Sequence, residues 1–147
     1  MTQVFVTGGS GFIGGHLISR LVAEGHRVRA LSRSDDSTNR LATLGAEPVR
    51  GDLLEPGSLT EASRDCELAF HLAAVATPRP DWQECIRVNV DGTRTVLQTC
   101  REAGVRRPVH VSSEAVLLNG QPLLKVHETA PIHPDSKAPY PATKARA

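Results

Sequence analysis

Tyr140 and Lys144 stand four residues apart in Tyr140-Pro141-Ala142-Thr143-Lys144, a spacing that puts both on one helical face and lets an ammonium lie near a phenol. A phenol titrates near 10 in water, and bringing it to about 7 takes roughly 4 kcal/mol. One cation about 4 Å away, at an effective dielectric near 20, supplies about that much. The pair therefore reads as a general acid and base. Upstream, Val111-Ser112-Ser113 closes an apolar run, so a serine hydroxyl at a strand end can hold a substrate oxygen while Tyr140 exchanges its proton. At the other extreme of the chain, Thr7-Gly8-Gly9-Ser10-Gly11-Phe12-Ile13-Gly14 follows Val4-Phe5-Val6 and leads into Leu17, Ile18, Leu21 and Val22. That order is strand, tight turn, helix. Gly8 suits the turn, Gly11 the close approach of a pyrophosphate, and Gly14 close contact between helix and strand. N–H groups at the helix start then face an anion, and a dinucleotide is the ligand that fits.

These groups can cooperate only if the chain carries them to one edge of a sheet. A first helix runs from about Phe12 to Glu24, with Gly25 as its left-handed stop. The second strand is His26 to Ser32, with Val28, Ala30 and Ser32 on one face. Asp35-Asp36-Ser37-Thr38 offers caps for a short helix carrying Leu41 and Leu44, which Gly45 ends. Ala46 to Arg50 is the third strand, and Pro56-Gly57-Ser58 opens a brief helix through Leu59 and Ala62. Strand four is Leu68 to Leu72. A loop holding Pro78 and Pro80 precedes the longest helix, Trp82 to Ala103, with Ile86, Val90, Val96, Leu97 and Cys100 as its apolar stripe. Pro108 to Ser113 is strand five, and Glu114 to Pro139 reads as an ordered loop. Strands alternating with helices predict an α/β fold, a doubly wound parallel sheet of Rossmann type, with ligands outside the carboxyl ends of the strands.

A chain of 147 residues with 22% charged residues and a formal net charge of +1 is one domain's worth of sequence, with no electrostatic reason to bind nucleic acid or an acidic membrane surface. Its partner is expected to be a small molecule held in a site. Cys66, Cys85 and Cys100 are odd in number and lack CxxC or Cys/His spacing, which supports neither a disulfide framework nor a metal site and predicts reduced, buried thiols. The start of the chain shows no basic-then-apolar leader and no apolar run reaches membrane-spanning length, so a cytoplasmic location is expected. His71, on an apolar strand, reads as a hydrogen-bonded interior residue. Asn89 reads as a residue that holds the local helix and a water, and Trp82 reads as packing.

Together the motifs resemble the N-terminal half of an extended short-chain dehydrogenase/reductase, of the NAD-dependent epimerase/dehydratase and 3β-hydroxysteroid dehydrogenase type. Thr7-Gly8-x-x-Gly11-x-x-Gly14 corresponds to the cofactor turn, Gly51-Asp52-Leu53 to the adenine-side aspartate and His71-Leu72-Ala73-Ala74 to the strand-four signature. Asn89-Val90-Asp91-Gly92-Thr93 corresponds to the mid-helix motif, Ser113-Glu114-Ala115-Val116 to the serine segment and Tyr140-x-x-x-Lys144 to the catalytic pair. The resemblance implies Ser113, Tyr140 and Lys144 as catalytic residues, with Ser113 selected over Ser112. It implies cofactor contacts from Gly8, Gly11, Phe12, Ile13, Gly14, Arg33, Asp52, Leu53, Ala73, Tyr140 and Lys144, and no metal. The activity implied is an NAD(P)-dependent oxidation or reduction at a secondary alcohol or ketone. The alternatives are a nucleotide-sugar epimerase or dehydratase, and a non-catalytic dinucleotide-binding module or inactive fragment.

Leu117 and Leu118 replace the tyrosine and glycine of many sugar-nucleotide members and lean toward a sterol-like or other apolar substrate. NADP is expected over NAD: eighteen residues after Gly14 the chain has Ser32 and then Arg33, where an NAD site wants a carboxylate and a 2′-phosphate wants a guanidinium. Pro141 biases Tyr140 out of the α region and predicts that it sits at the helix cap. Residues 1–147 are expected to be an incomplete dinucleotide-binding domain, truncated after strand five and without a C-terminal substrate lobe. The strand-five edge, with Val109 and Val111, is then expected to self-associate, as a homodimer in the simplest case, and the chain alone to be inactive.

Overall fold

Alternation along the first strand sets the layering. In the computed structural model, which describes residues 1–77 and 79–147, β1 (Gln3–Thr7) sends Val4 and Val6 to one face and Phe5 to the other. Around it lie β2 (Arg27–Ser32), β3 (Glu47–Arg50), β4 (Leu68–His71) and β5 (Arg107–His110), in the order β3-β2-β1-β4-β5. Every neighbouring pair is parallel, with Val4 opposite both Val28 and Leu68. The helices α1 (Phe12–Ala23) and α2 (Asp35–Thr43) cover the Val4/Val6 face, where Ile18, Leu21, Val28, Ala30 and Leu41 are buried. On the Phe5 face are α3 (Pro56–Ser63) and a long helical stretch, bringing Leu59, Ala62, Val88, Val96 and Cys100 against Leu31 and Ala69. Fully burying a Leu, Ile or Phe contributes roughly 1.5–3 kcal/mol, so both faces hold the sheet. The doubly wound parallel sheet expected from the sequence is present, and Cys66, Cys85 and Cys100 are buried free thiols.

Three local expectations are corrected. The cap of α2 is Ser34, one residue before the expected group; its hydroxyl accepts from the Ser37 N–H while Ser37 returns a bond, leaving Asp35 and Asp36 in the first turn. The long helix is not uniform: α4 (Trp82–Cys85) passes into a π-helical segment (Ile86–Gly92) and then α5 (Thr93–Glu102). That wider turn rotates the buried stripe onto Cys85, Val88, Asn89, Gly92, Thr93, Val96 and Cys100, while Ile86, Val90 and Leu97 are only half-buried. β5 is shorter than expected, although the Val111 N–H still donates to the His71 carbonyl at 3.0 Å. Pro78, placed by the sequence in the loop before α4, lies outside the described residues.

Candidate active site

Between β1 and α1 the backbone makes one tight turn, closed by the Gly11 N–H donating to the Gly8 carbonyl at 3.1 Å. Gly8 has φ +71°, and a Cβ there would stand 2.6 Å from the Ala73 nitrogen beyond β4. A Cβ on Gly14 would run into the Gly8 carbonyl and stand 2.7 Å from the Gly9 Cα. Glycine at these two positions is therefore steric necessity, and it seats α1 directly on the turn. No side chain caps α1, and Phe12 (80% exposed) and Ile13 (62% exposed) turn outward, which leaves the first-turn N–H groups open. Beside them is a cleft of about 580 Å³ lined by Gly8, Ser10, Gly11, Leu31, Arg33, Ser34, Ser37, Leu53, Leu72, Ala73, Ala74, Val75, Glu84 and Val88. It opens at the carboxyl ends of β1, β2 and β4.

A buried polar chain runs from this turn to the last helix, α6 (Pro139–Arg146). Thr7 Oγ1 lies 2.6 Å from His71 Nδ1, and His71 Nε2 lies 2.9 Å from Thr93 Oγ1. The Thr93 hydroxyl donates to the Asn89 carbonyl at 2.6 Å, so it accepts from His71, whose proton is on Nε2 while Thr7 donates to Nδ1. Burial, with His110 and Lys144 nearby, holds the His71 pKa down to about 3, and the ring is neutral. Asn89 accepts from the Val75 N–H at 2.8 Å and donates to Thr143 Oγ1 at 3.0 Å. Next to Thr143, Lys144 is only 5% exposed. Its ammonium donates to the Val111 carbonyl at 2.8 Å and lies 3.3 Å from His110 Nε2, and desolvation lowers its pKa from the ordinary lysine value.

Residues 5–147 match the 3-beta hydroxysteroid dehydrogenase/isomerase family. The chain belongs to that family. It is 48% identical over 145 residues to a 4-hydroxy-2-methyl-3-oxo-4-farnesyl-3,4-dihydroquinoline-1-oxide ketoreductase of Stigmatella aurantiaca, covering 99% of this chain and 43% of the relative. With a decarboxylating sterol-4-alpha-carboxylate 3-dehydrogenase of Dictyostelium discoideum it shares 36% identity over 138 residues, 91% of this chain and 42% of the relative. Among solved structures, a short-chain dehydrogenase/reductase superfamily protein from Agrobacterium tumefaciens with bound NAD superposes with a TM-score of 0.83 at 34% identity, covering 98% of this chain and 42% of that one. The chain thus spans less than half the length of these relatives.

For this member of the hydroxysteroid dehydrogenase/isomerase family, the fold gathers Gly8, Gly11, Arg33, Leu53 and Ala73 in one cleft. Phe12, Ile13 and Gly14 form the first turn of α1 beside it. Asp52 stands next to Leu53 but outside the cleft lining, and its carboxylate accepts from the Leu54 N–H at 2.9 Å. Ser113 lies past β5 at the start of a 3-10 turn (Glu114–Leu117), where its hydroxyl accepts from the Ala115 N–H and donates to Glu114 Oε2, both at 3.2 Å. Tyr140 is half-buried in the first turn of α6 behind Pro139, with Ala138 as the cap, which corrects its expected place at the cap. First-turn N–H groups need no helical partner, so prolines at 139 and 141 fit there and the ladder opens with the Ala142 N–H on the Ala138 carbonyl. Among the described residues no hydrogen bond joins the Tyr140 hydroxyl to Lys144 or Ser113. His71 is the interior residue expected, whereas Trp82, expected to pack, is exposed, with the Arg146 guanidinium 6.0 Å above its ring. Ser34 and Ser37 also line the cleft, and their Ser-x-x-Ser capping spacing is legible in the sequence, whereas no local signal announces the contact of His110 with Lys144.

Proposed function

We propose that this chain is the dinucleotide-binding part of an NAD(P)-dependent oxidoreductase of the extended short-chain dehydrogenase/reductase type, acting on a secondary alcohol or ketone. The observation that carries the reading is the glycine turn of β1 and α1: close-packed backbone, uncapped N–H groups and an adjoining cleft make a cradle that a Cβ would fill and a pyrophosphate fits. A nicotinamide held there would supply a hydride acceptor for the alcohol carbon or a hydride donor for the ketone carbon. Tyr140 takes the hydroxyl proton on oxidation and returns it on reduction. Lys144, steadied from behind by Val111 and His110, would donate to the nicotinamide ribose and supply the positive charge that favours the phenolate. Ser113 turns its hydroxyl from Glu114 to the substrate oxygen.

NADP is the proposed cofactor, with NAD the alternative. Arg33 offers guanidinium donors at one end of the cleft, beside Ser34 and Ser37, whose hydroxyls donate to Ser37 Oγ and to the Ser34 carbonyl, whereas Asp35 pairs with Arg50 at 2.7 Å. An apolar substrate is favoured by the relatives that act on a farnesyl-dihydroquinoline oxide and on a sterol carboxylate, whereas the second cavity, of about 770 Å³, has a mixed lining in which Leu118, Ile132 and Pro141 stand beside Asn119, Asp135 and Lys137. In full-length context Tyr140→Phe is expected to lower turnover by about 10²–10⁴-fold with little change in dinucleotide affinity; near-normal turnover would remove Tyr140 from the chemistry. Titration of both cofactors decides the rest. Arg33→Ala is expected to weaken NADP(H) by at least about tenfold, and tighter NAD(H) binding indifferent to Arg33→Ala would sink the NADP assignment.

A further inference from the structure

His110 ends β5 with its ring stacked on His71, the centroids 5.3 Å apart and the planes 27° from parallel. Its Nε2 faces the Lys144 ammonium at 3.3 Å, while its Nδ1 is buried with no hydrogen-bond partner among the described residues. An ammonium has only donors, so Nε2 must be the bare nitrogen and Nδ1 must carry the proton. His110 and the Val111 carbonyl thus hold two of the three Lys144 N–H bonds and leave one for a ligand.

We propose that His110 is a positioning residue: as a neutral acceptor it fixes the Lys144 ammonium at the end of β5, and on taking a proton it releases that ammonium. The idea rests on the reading of Lys144 given above but concerns a contact that needs no ligand. The ionisable groups bearing on His110 are His71 from β4 and Lys144 from α6, neither of them a carboxylate that could offset a charge on the ring. Desolvation first, and then the Lys144 charge, hold its pKa below the ordinary histidine value. Near neutral pH the acceptor is therefore in place. As the pH falls through the lowered value, Nε2 gains a proton, two donors face each other, and Lys144 keeps only the Val111 carbonyl.

With three lysines in the chain, Lys125, Lys137 and Lys144, each side-chain Cε resonance can be followed by ¹³C NMR through a pH titration. In the wild type, Lys144 Cε is expected to show an acid-side step at the pH where the His110 ring titrates, with no matching step at Lys125 or Lys137. His110→Gln should abolish that step while its amide oxygen keeps the basic midpoint of Lys144 close to wild type. His110→Phe, which offers no acceptor, should lower that midpoint by about 1 on the pH scale. A Lys144 resonance that ignores the His110 titration in the wild type, or an acid-side step that persists in His110→Gln, would overturn the proposal. In full-length context the acid limb of the kcat/KM profile should move in His110→Gln. Absence of dinucleotide binding in the wild type would defeat the proposed function alone, because the NMR titration decides His110 without it.

Discussion

At the β1–α1 turn the site is backbone: Gly8 and Gly14 are within a hard contact of other main-chain atoms, and the donors offered are N–H groups of consecutive residues. At α6 the site is side chain: Lys144 reaches back to His110 and Val111, and Thr143 reaches to Asn89, across more than thirty residues in each case. Steric necessity governs the first region and charge and hydrogen bonding the second. A backbone site tolerates no added atom but is indifferent to pH, whereas a side-chain site tolerates atoms and answers to protons.

Gly8→Ala attacks the backbone site where it has least room, combining a positive φ with a Cβ 2.6 Å from the Ala73 nitrogen. It is expected to cost at least about 3 kcal/mol in a urea unfolding series and to remove dinucleotide binding. Gly57→Ala, in α3 with open space around it, is the matched control and should be neutral or stabilise by up to about 1 kcal/mol. Equal losses for the two would show that the turn is not special.

Acid is the corresponding attack on the side-chain region. His71 has its folded pKa depressed from 6.5 to about 3, so the unfolded chain binds the proton first. The stabilisation is fully present above about pH 6.5 and is lost as the pH falls toward 3, a few kcal/mol in total. Unfolding free energies measured across that window should fall as the pH falls, and His71→Asn should flatten the slope. An unchanged slope in that variant would assign the acid sensitivity elsewhere.

The smallest effect is expected from Thr143→Val, which removes the hydroxyl that accepts from Asn89 and donates to the Pro139 carbonyl at 2.7 Å. About 1–2 kcal/mol should be lost, and amide exchange should accelerate in α6 more than in α1. Uniform acceleration throughout the sheet would mean that Thr143 supports the whole core and not the placement of Tyr140 and Lys144.

The sequence by itself determined what short-range rules govern. Strand alternation, the glycine turn, the Gly25 and Gly45 stops at positive φ and the parallel doubly wound order all follow from neighbours in the chain or from the hand of a crossover. Five of the eleven expected cofactor positions line the cleft for the same reason, since strand ends and the turn residues that follow them are local features. Tertiary structure decided the rest. The π-helical turn around Asn89 replaces an apolar stripe with polar residues, which is affordable only because Val75, Thr143 and His71 arrive from other elements to satisfy them. Tyr140 enters the helix rather than capping it because Ala138 takes that place. Spacing puts Lys144 on the face of Tyr140, yet its ammonium is held at the end of β5, because a buried cation must be hydrogen-bonded and its acceptors, His110 Nε2 and the Val111 carbonyl, lie more than thirty residues upstream.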